Sequence, residues 1–373
     1  MAVILKDIMD IIEKRAPSYL AADFDNPGLL IGDENSSIDS ILVSLDIDDK
    51  VIDEAVQKRC NLIVTHHPLI FHPFKSLKAS NFKERLILRI VSSGINVYAA
   101  HTNLDSCKNG INDYLAHKLG LNDISILDDS YEDKLVKIAV YVPEGYEKKV
   151  QEALALADAG HIGKYSCCTF NAKGEGTFKP LEGTHPFIGE MGKIEHVKEV
   201  RVETIARESM LQSIIQSMLK AHPYEEPAYD VYPLKNSGVK YGFVRAGCLN
   251  PPITLSKLCL RVKDMLNIDS VNVVGNPDRI IKRVGLCSGD GAEFIPLAYR
   301  DGCDVFITGD IRYHDACDAR DMGICIIDGG HFGTEHVYMK ELASYIKDEL
   351  KSRGLGQIDI ALSQNNKDPI NKV

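Results

Sequence analysis

The sequence predicts an α/β protein: a core of mixed sheet with helices on its faces, interrupted by a ferredoxin-like α+β domain. Three observations predict it. Short apolar strands alternate with amphipathic helical patterns over residues 1–134, and the same alternation returns over residues 235–373. Between them, residues 135–234 follow the order strand, helix, strand, strand, helix, strand, which is the split-βαβ arrangement.

The elements follow in order. A helical pattern runs from Leu5 to Leu20, then come the apolar run Ser40–Ile47, a helix over Val51–Arg59 and the strand Asn61–Thr65. A helix near Phe82–Val91, the strand Ile95–Ala100 and a helix opening near Asn109 complete the first stretch. The middle segment reads as the strand KIAVYVP, a helix over Tyr146–Ala157, Gly-rich loops with short strands, the strand EVRVETIA, a helix over Met210–Ala221 and the extended AYDVYPL. Strands at Arg283–Cys287, Asp304–Thr308 and Gly323–Asp328 follow, then one long helix from Thr334 to Arg353 and a polar, loose tail from Asn365 to Val373.

Composition narrows the function. The 373 residues carry 43 Lys+Arg against 53 Asp+Glu, a formal net charge of −10, which offers no general attraction to a phosphate backbone or an anionic membrane and argues against nucleic acid as a partner. No stretch has the apolar run of a membrane helix, and Lys6, Asp7 and Asp10 interrupt the region where a signal peptide is apolar. The ten cysteines form no C-x-x-C pair, so reduced, mostly buried thiols in a cytoplasmic protein are expected.

The chemistry gathers at strand ends. NLIVT runs into His66 and His67, INVYAA delivers His101 with Asp105 four residues on, and GICIID leads to His331 with Glu335 four residues on. Open α/β sheets bind ligands at the carboxyl ends of their strands, and a spacing of four places two side chains on one side of a helical turn. Imidazole and carboxylate are ordinary ligands of zinc, iron and manganese, and six are too many for one closed tetrahedral site, so a dinuclear centre is expected. The other eight histidines are expected at the surface or behind the ligands, with His314 and His336 the better outer partners. The turns SGDG (Ser288–Gly291) and TGD (Thr308–Asp310) are read either as places where a ligand approaches backbone N–H groups or as plain turns. No catalytic residue is singled out: proton transfer is left open among Glu335, His101 and His314.

THHPLIFHP, AHTNLD, ITGD with RYHDA, DGGHFGTE and FDNPGLLIG (Phe24–Gly32) together resemble the NIF3-like family, also called GTP cyclohydrolase I type 2 homologues. The resemblance implies a two-metal site on His66, His67, Asp105, His331 and Glu335, with His101 as a further ligand in some members. It also implies a toroidal homohexamer with its metal centres facing an internal cavity, and an insert resembling PII and CutA proteins, carried here by GHIGKYSCCTF and AHPYEEPAYDVYPL. The function then expected is that of a GTP cyclohydrolase 1 type 2 homologue: a metal-dependent hydrolase acting on a nucleotide-like or phosphorylated small molecule through two divalent cations per subunit. The alternative is a non-catalytic hexameric assembly or regulatory protein that senses or delivers a cation.

Overall fold

Leu5, Ile8, Ile11 and Ile12 fall on one face of helix α1 (Leu5–Arg15), and all four are buried. The helix ends there because Pro17 restricts Ala16 before it. It opens a computed structural model that describes residues 3–356 and 358–370. The structure is mixed α/β and divides into two units, one of residues up to Tyr131 with those from Tyr241 onward, the other Glu132–Lys240.

The first unit continues with β1 (Gly28–Ile31), β2 (Ser40–Ser44), α2 (Asp49–Gln57), β3 (Leu62–Thr65), α3 (Phe82–Ser92), β4 (Asn96–Ala99), α4 (Thr102–Ser106), α5 (Ile111–Lys118) and β5 (Asn122–Ile126). After β6 (Tyr131–Asp133) come the elements of the second unit: β7 (Leu135–Pro143), α6 (Glu147–Leu156), β8 (Thr169–Phe178), β9 (Glu195–Arg207), α7 (Leu211–Ala221) and β10 (Tyr229–Pro233). Beyond β11 (Val239–Tyr241) the first unit resumes with β12 (Arg245–Thr254), α8 (Leu255–Leu266), β13 (Asn272–Val274), β14 (Ile280–Asp290), α9 (Ile295–Arg300) and β15 (Val305–Gly309). It closes with α10 (Tyr313–Met322), β16 (Cys325–Asp328), α11 (His331–His336), α12 (Met339–Ser352) and β17 (Asp359–Leu362).

One sheet has the order β1-β4-β3-β2-β17, in which β17, β2, β3 and β4 are parallel and β1 is antiparallel. Its central strands are apolar on both faces because helices cover both. Alternate side chains therefore enter different cores: Ile41, Val43, Leu62 and Val64 pack with residues of α1 and α12, whereas Leu42, Ile63 and Val97 pack with residues of α2 and α3. The second sheet has the order β13-β16-β15-β14-β12-β5, with β14, β15 and β16 parallel. The core thus holds two mixed sheets where the sequence suggested one: β1 and β17 bound the first, β13 and β5 the second.

Two further expectations are corrected. The long helix expected over Thr334–Arg353 is two helices, parted at Val337 and Tyr338. Tyr338 is fully buried at the break with its hydroxyl donating to Asn109 O at 2.7 Å, which separates the segment carrying His331 and Glu335 from α12, whose Met339, Leu342, Ile346 and Leu350 fill the core. The polar tail is anchored at its start: Glu54, 4% exposed, accepts from Ser363 Oγ (2.8 Å), Gln364 N (3.0 Å) and Asn365 N (3.2 Å). Asn366 Oδ1 accepts in turn from Leu45 N (2.9 Å) and Asp46 N (3.3 Å). Residues 371–373 lie outside the described residues.

Burial alone would raise Glu54, yet Lys58 at 2.6 Å and the tail's donors hold it at about 2 against an ordinary 4.5. A carboxyl depressed in the folded state stabilises above its unfolded pKa and loses that contribution as pH falls toward the folded value. Up to about 3 kcal/mol is therefore expected to fade between pH 4.5 and 2. Denaturant unfolding across that range should show a steeper acid loss for the natural chain than for Glu54→Gln, and equal slopes would contradict the assignment.

The second unit is a four-stranded antiparallel sheet in the order β10-β7-β9-β8. Val150 and Leu154 of α6 and Ile214 and Met218 of α7 pack on Val136, Ile138, Val140, Val200 and Val202. No described helix is long and apolar enough to cross a membrane.

Candidate metal centre

His66 and His67 leave the buried end of β3, where Thr65 Oγ1 donates to Leu45 O at 2.7 Å and fixes the turn. His101 follows β4 and caps α4, which carries Asp105. His331 and Glu335 stand one turn apart on α11, just past β16. All six residues named from the sequence converge in three overlapping groups whose ligand atoms lie within 4.8 Å of one another: His66, His67 and His101; His67, His331 and Glu335; His66, Asp105 and Glu335. His66 Nε2 is 3.7 Å from Asp105 Oδ2 and 3.8 Å from Glu335 Oε1, and Glu335 Oε2 is 2.9 Å from His67 Nε2 and 3.3 Å from His331 Nε2. His66 is 0% exposed and Glu335 3%.

What stands behind the imidazoles decides their chemistry. Nδ1 of His66 meets Ala100 O, Nδ1 of His67 meets Asp46, Nδ1 of His101 meets Asp25 and Nδ1 of His331 meets Asp310, each at 2.7 Å. A carbonyl or an ionised carboxylate only accepts, so Nδ1 is the donor in all four rings and Nε2 is the atom turned inward, offering a lone pair whenever the ring is neutral. His66 Nε2 and Glu335 Oε2 are buried without a well-formed hydrogen bond, although His67 Nε2 stands close to that oxygen. Lone pairs facing one another in a buried cluster are stabilised only by a shared cation or an added proton. The donor set therefore fits divalent cations of the zinc, iron or manganese type.

The carboxylates bias the cluster toward positive charge. Burial alone would depress His67, but Asp46 and Glu335 push it up to about 10, while Glu335 above all raises His331 to about 9. His66 is raised by Asp105 and Glu335 against the effect of burial. Burial raises Asp105, whereas Glu335, despite burial, is held well below its ordinary value by the three imidazoles around it. Burial would also raise Asp25, but the bond from His101 holds it at about 2. Cation uptake in such a field displaces protons.

The outer partners are aspartates, not the two histidines expected. Neither His314 nor His336 bonds a cluster residue among the described residues: the His336 ring stacks on Phe332 at 4.5 Å and the His314 ring lies against Tyr313. The partners are Asp25, Asp46 and Asp310. Asp310 follows the parallel strand β15 directly, as His66 follows β3, and Asp46 lies two residues past β2; that shared position was the signal available. The glycine-bearing turns also serve the cluster itself. Ser288 Oγ donates to Asp105 Oδ1 at 3.1 Å, and Gly289, at φ +61°, leaves room that a Cβ would take from Glu335 Oε1. A Cβ on Gly309 would come within 2.7 Å of His331 N. SGD belongs to β14 rather than opening a helix.

Because Asp46 orients His67, and Asn366 fixes the backbone of Asp46, Asp46→Ala is expected to weaken metal binding by roughly 10–100-fold. Competition against a chromogenic chelator measures it, and unchanged affinity would show that His67 needs no such support.

The model of the family described as Duf34/NIF3 (NGG1p interacting factor 3) matches residues 3–369. The chain belongs to this family. A Bacillus subtilis (strain 168) member called "GTP cyclohydrolase 1 type 2 homolog" is 44% identical over 336 residues, 90% of each chain, and a Halalkalibacterium halodurans member of the same name is 44% identical over 324 residues, 87% of each. Among solved structures, a Bacillus cereus protein related to NIF3 superposes with a TM-score of 0.93 at 39% identity, covering 100% of both chains.

Proposed function

We propose that this NIF3-family chain is a dinuclear metal-dependent hydrolase acting on a nucleotide-like or phosphorylated small molecule. The observation that carries the reading is the convergence of four imidazoles, each tethered through Nδ1 and presenting Nε2, on two buried carboxylates. His66, Asp105 and Glu335 would hold one cation and His67, His331 and Glu335 the other, with His101 completing the wall beside His66 and His67. A bound pair of divalent cations would supply water of lowered pKa and polarise the attacked oxygen.

The site's surroundings support a substrate with a flat ring. Phe24 is 67% exposed and packs 6.2 Å from Phe71, whose ring lies 6.3 Å from that of His101. Asp25 bonds His101 and Asn26 Nδ2 donates to Ile70 O at 2.6 Å, so both phenylalanines are tied to the cluster and offer a stacking surface. We further read the chain as one protomer of a homohexamer whose insert, with its βαββαβ order, is PII- or CutA-like. Ten free cysteines accord with a cytoplasmic setting.

The test is a comparison of chelated protein with protein reloaded with zinc, iron or manganese, against GTP, nucleoside monophosphates and simple phosphoesters. Metal-dependent turnover of one of these is expected. Identical behaviour of loaded and stripped protein would overturn the hydrolase reading and leave a cation-sensing or cation-delivering assembly in its place.

A further inference from the structure

The segment AHPYEEPAYDVYPL of the second unit has no part in the metal centre, yet its Tyr224, Glu225 and Glu226 line a pocket of about 200 Å³ with Phe178 and Phe187. We propose that this pocket is a separate binding site for an organic cation of the quaternary-ammonium or alkylated-amine class.

The rings form walls rather than a stack. Phe178 and Tyr224 have centroids 5.8 Å apart and are inclined by 59°, and Phe187 and Tyr224 are 6.3 Å apart at 52°. Rings set at such angles leave a space bounded by π faces and edges, where a cation with an apolar skin gains from each ring quadrupole it faces. The walls are held before any ligand arrives. The Tyr224 hydroxyl donates to Glu199, 9% exposed, at 3.2 Å, and Tyr224 N donates to His222 Nδ1, whose Nε2 donates to Tyr141 O at 3.0 Å. Phe187 is braced edge-on by Tyr146 at 5.4 Å, and Pro180 and Pro186 stiffen its loop.

Charge selects the ligand. Glu225 accepts from His185 N at 3.0 Å, which closes the loop over the pocket, while Glu226 has no hydrogen bond or ion pair among the described residues. Among the described residues no lysine or arginine lines the pocket, and two exposed carboxylates stand at its rim, so an anion would be repelled and a cation drawn in. A bare metal ion would need converging ligand atoms, and the triads capable of that among the described residues all lie in the other unit. The volume is below the roughly 300–1,000 Å³ of pockets for drug-sized ligands, which suits one alkylated ammonium group rather than a whole nucleotide.

Choline and its uncharged isostere 3,3-dimethylbutan-1-ol test the site in the full chain by ligand-observed NMR and calorimetry. Choline is expected to bind about tenfold more tightly than the isostere, and Phe187→Ala or Glu226→Gln to weaken it by roughly fivefold or more with metal content unchanged. Equal binding of the two compounds, choline binding indifferent to both substitutions, or no choline binding up to about 50 mM would overturn the proposal.

Discussion

Replacing His66 and Glu335 together by alanine is expected to strip the chain of most of its bound metal while both units stay folded. His66 and Glu335 each belong to two of the three groups of ligand atoms, and every group contains at least one of them. No pair of cations can then keep a full set of donors. The loss should exceed the roughly 10–100-fold in affinity that removal of an outer hydrogen-bond partner produces, because inner donors themselves are gone. The fold should tolerate the change for a specific reason: the substitutions delete His66 Nε2 and Glu335 Oε2, the two buried polar atoms without well-formed hydrogen bonds. Removing poorly satisfied groups offsets part of the cost of the space left behind and of the lost bond to Ala100 O, so the chelated variant should be destabilised by a few kcal/mol, about 2–5, yet still unfold cooperatively. Elemental analysis with denaturant unfolding checks both halves. Full occupancy in the variant would contradict the ligand assignment.

The second large effect is expected at Arg245. This side chain is 1% exposed and forms an ion pair with Asp113. Its remaining donors go to Gly242 O at 2.6 Å and to Ser106 O and Cys107 O at 3.3 and 3.2 Å, carbonyls at the end of the short helix that carries Asp105. Arg245→Met takes the guanidinium from those buried carbonyls and from Asp113 Oδ1, leaving the half-buried Asp113 only the Asn109 N–H on Oδ2. A loss of about 3–5 kcal/mol is expected, the range for breaking a buried pair on one side only. Arg245→Met with Asp113→Leu should recover part of it, since removing both charges removes the uncompensated one. A loss below about 1 kcal/mol for the single variant would show that the pair is not buried as described.

How much of this was legible in the sequence depends on distance along the chain. His66, His67, His101, Asp105, His331 and Glu335 could be named because each group follows an apolar parallel strand at its carboxyl end, where such sheets bind ligands; that β3 and β4 belong to one sheet and β16 to the other could not be read from the sequence. Asp46 and Asp310 share that strand-end position, but which imidazole each bonds across 21 residues, and the bond of Asp25 to His101 across 76, is encoded in no local pattern. The tail was misread for the same reason. Asn365 and Asn366 are polar and suggest a solvated end, but their partners are a buried carboxylate on α2 and the backbone after β2, more than 300 residues earlier. The helix break at Tyr338 was hidden because the apolar periodicity continues through it, while the ring turns inward to meet Asn109.

The most direct measurement is anomalous diffraction at the zinc, iron and manganese edges, on crystals of protein purified without added metal. A pair of peaks is expected, one bounded by His66, Asp105 and Glu335 and the other by His67, His331 and Glu335. Crystals without a peak among these residues, or with metal held elsewhere in the chain, would contradict the central claim that these six side chains are gathered to bind cations.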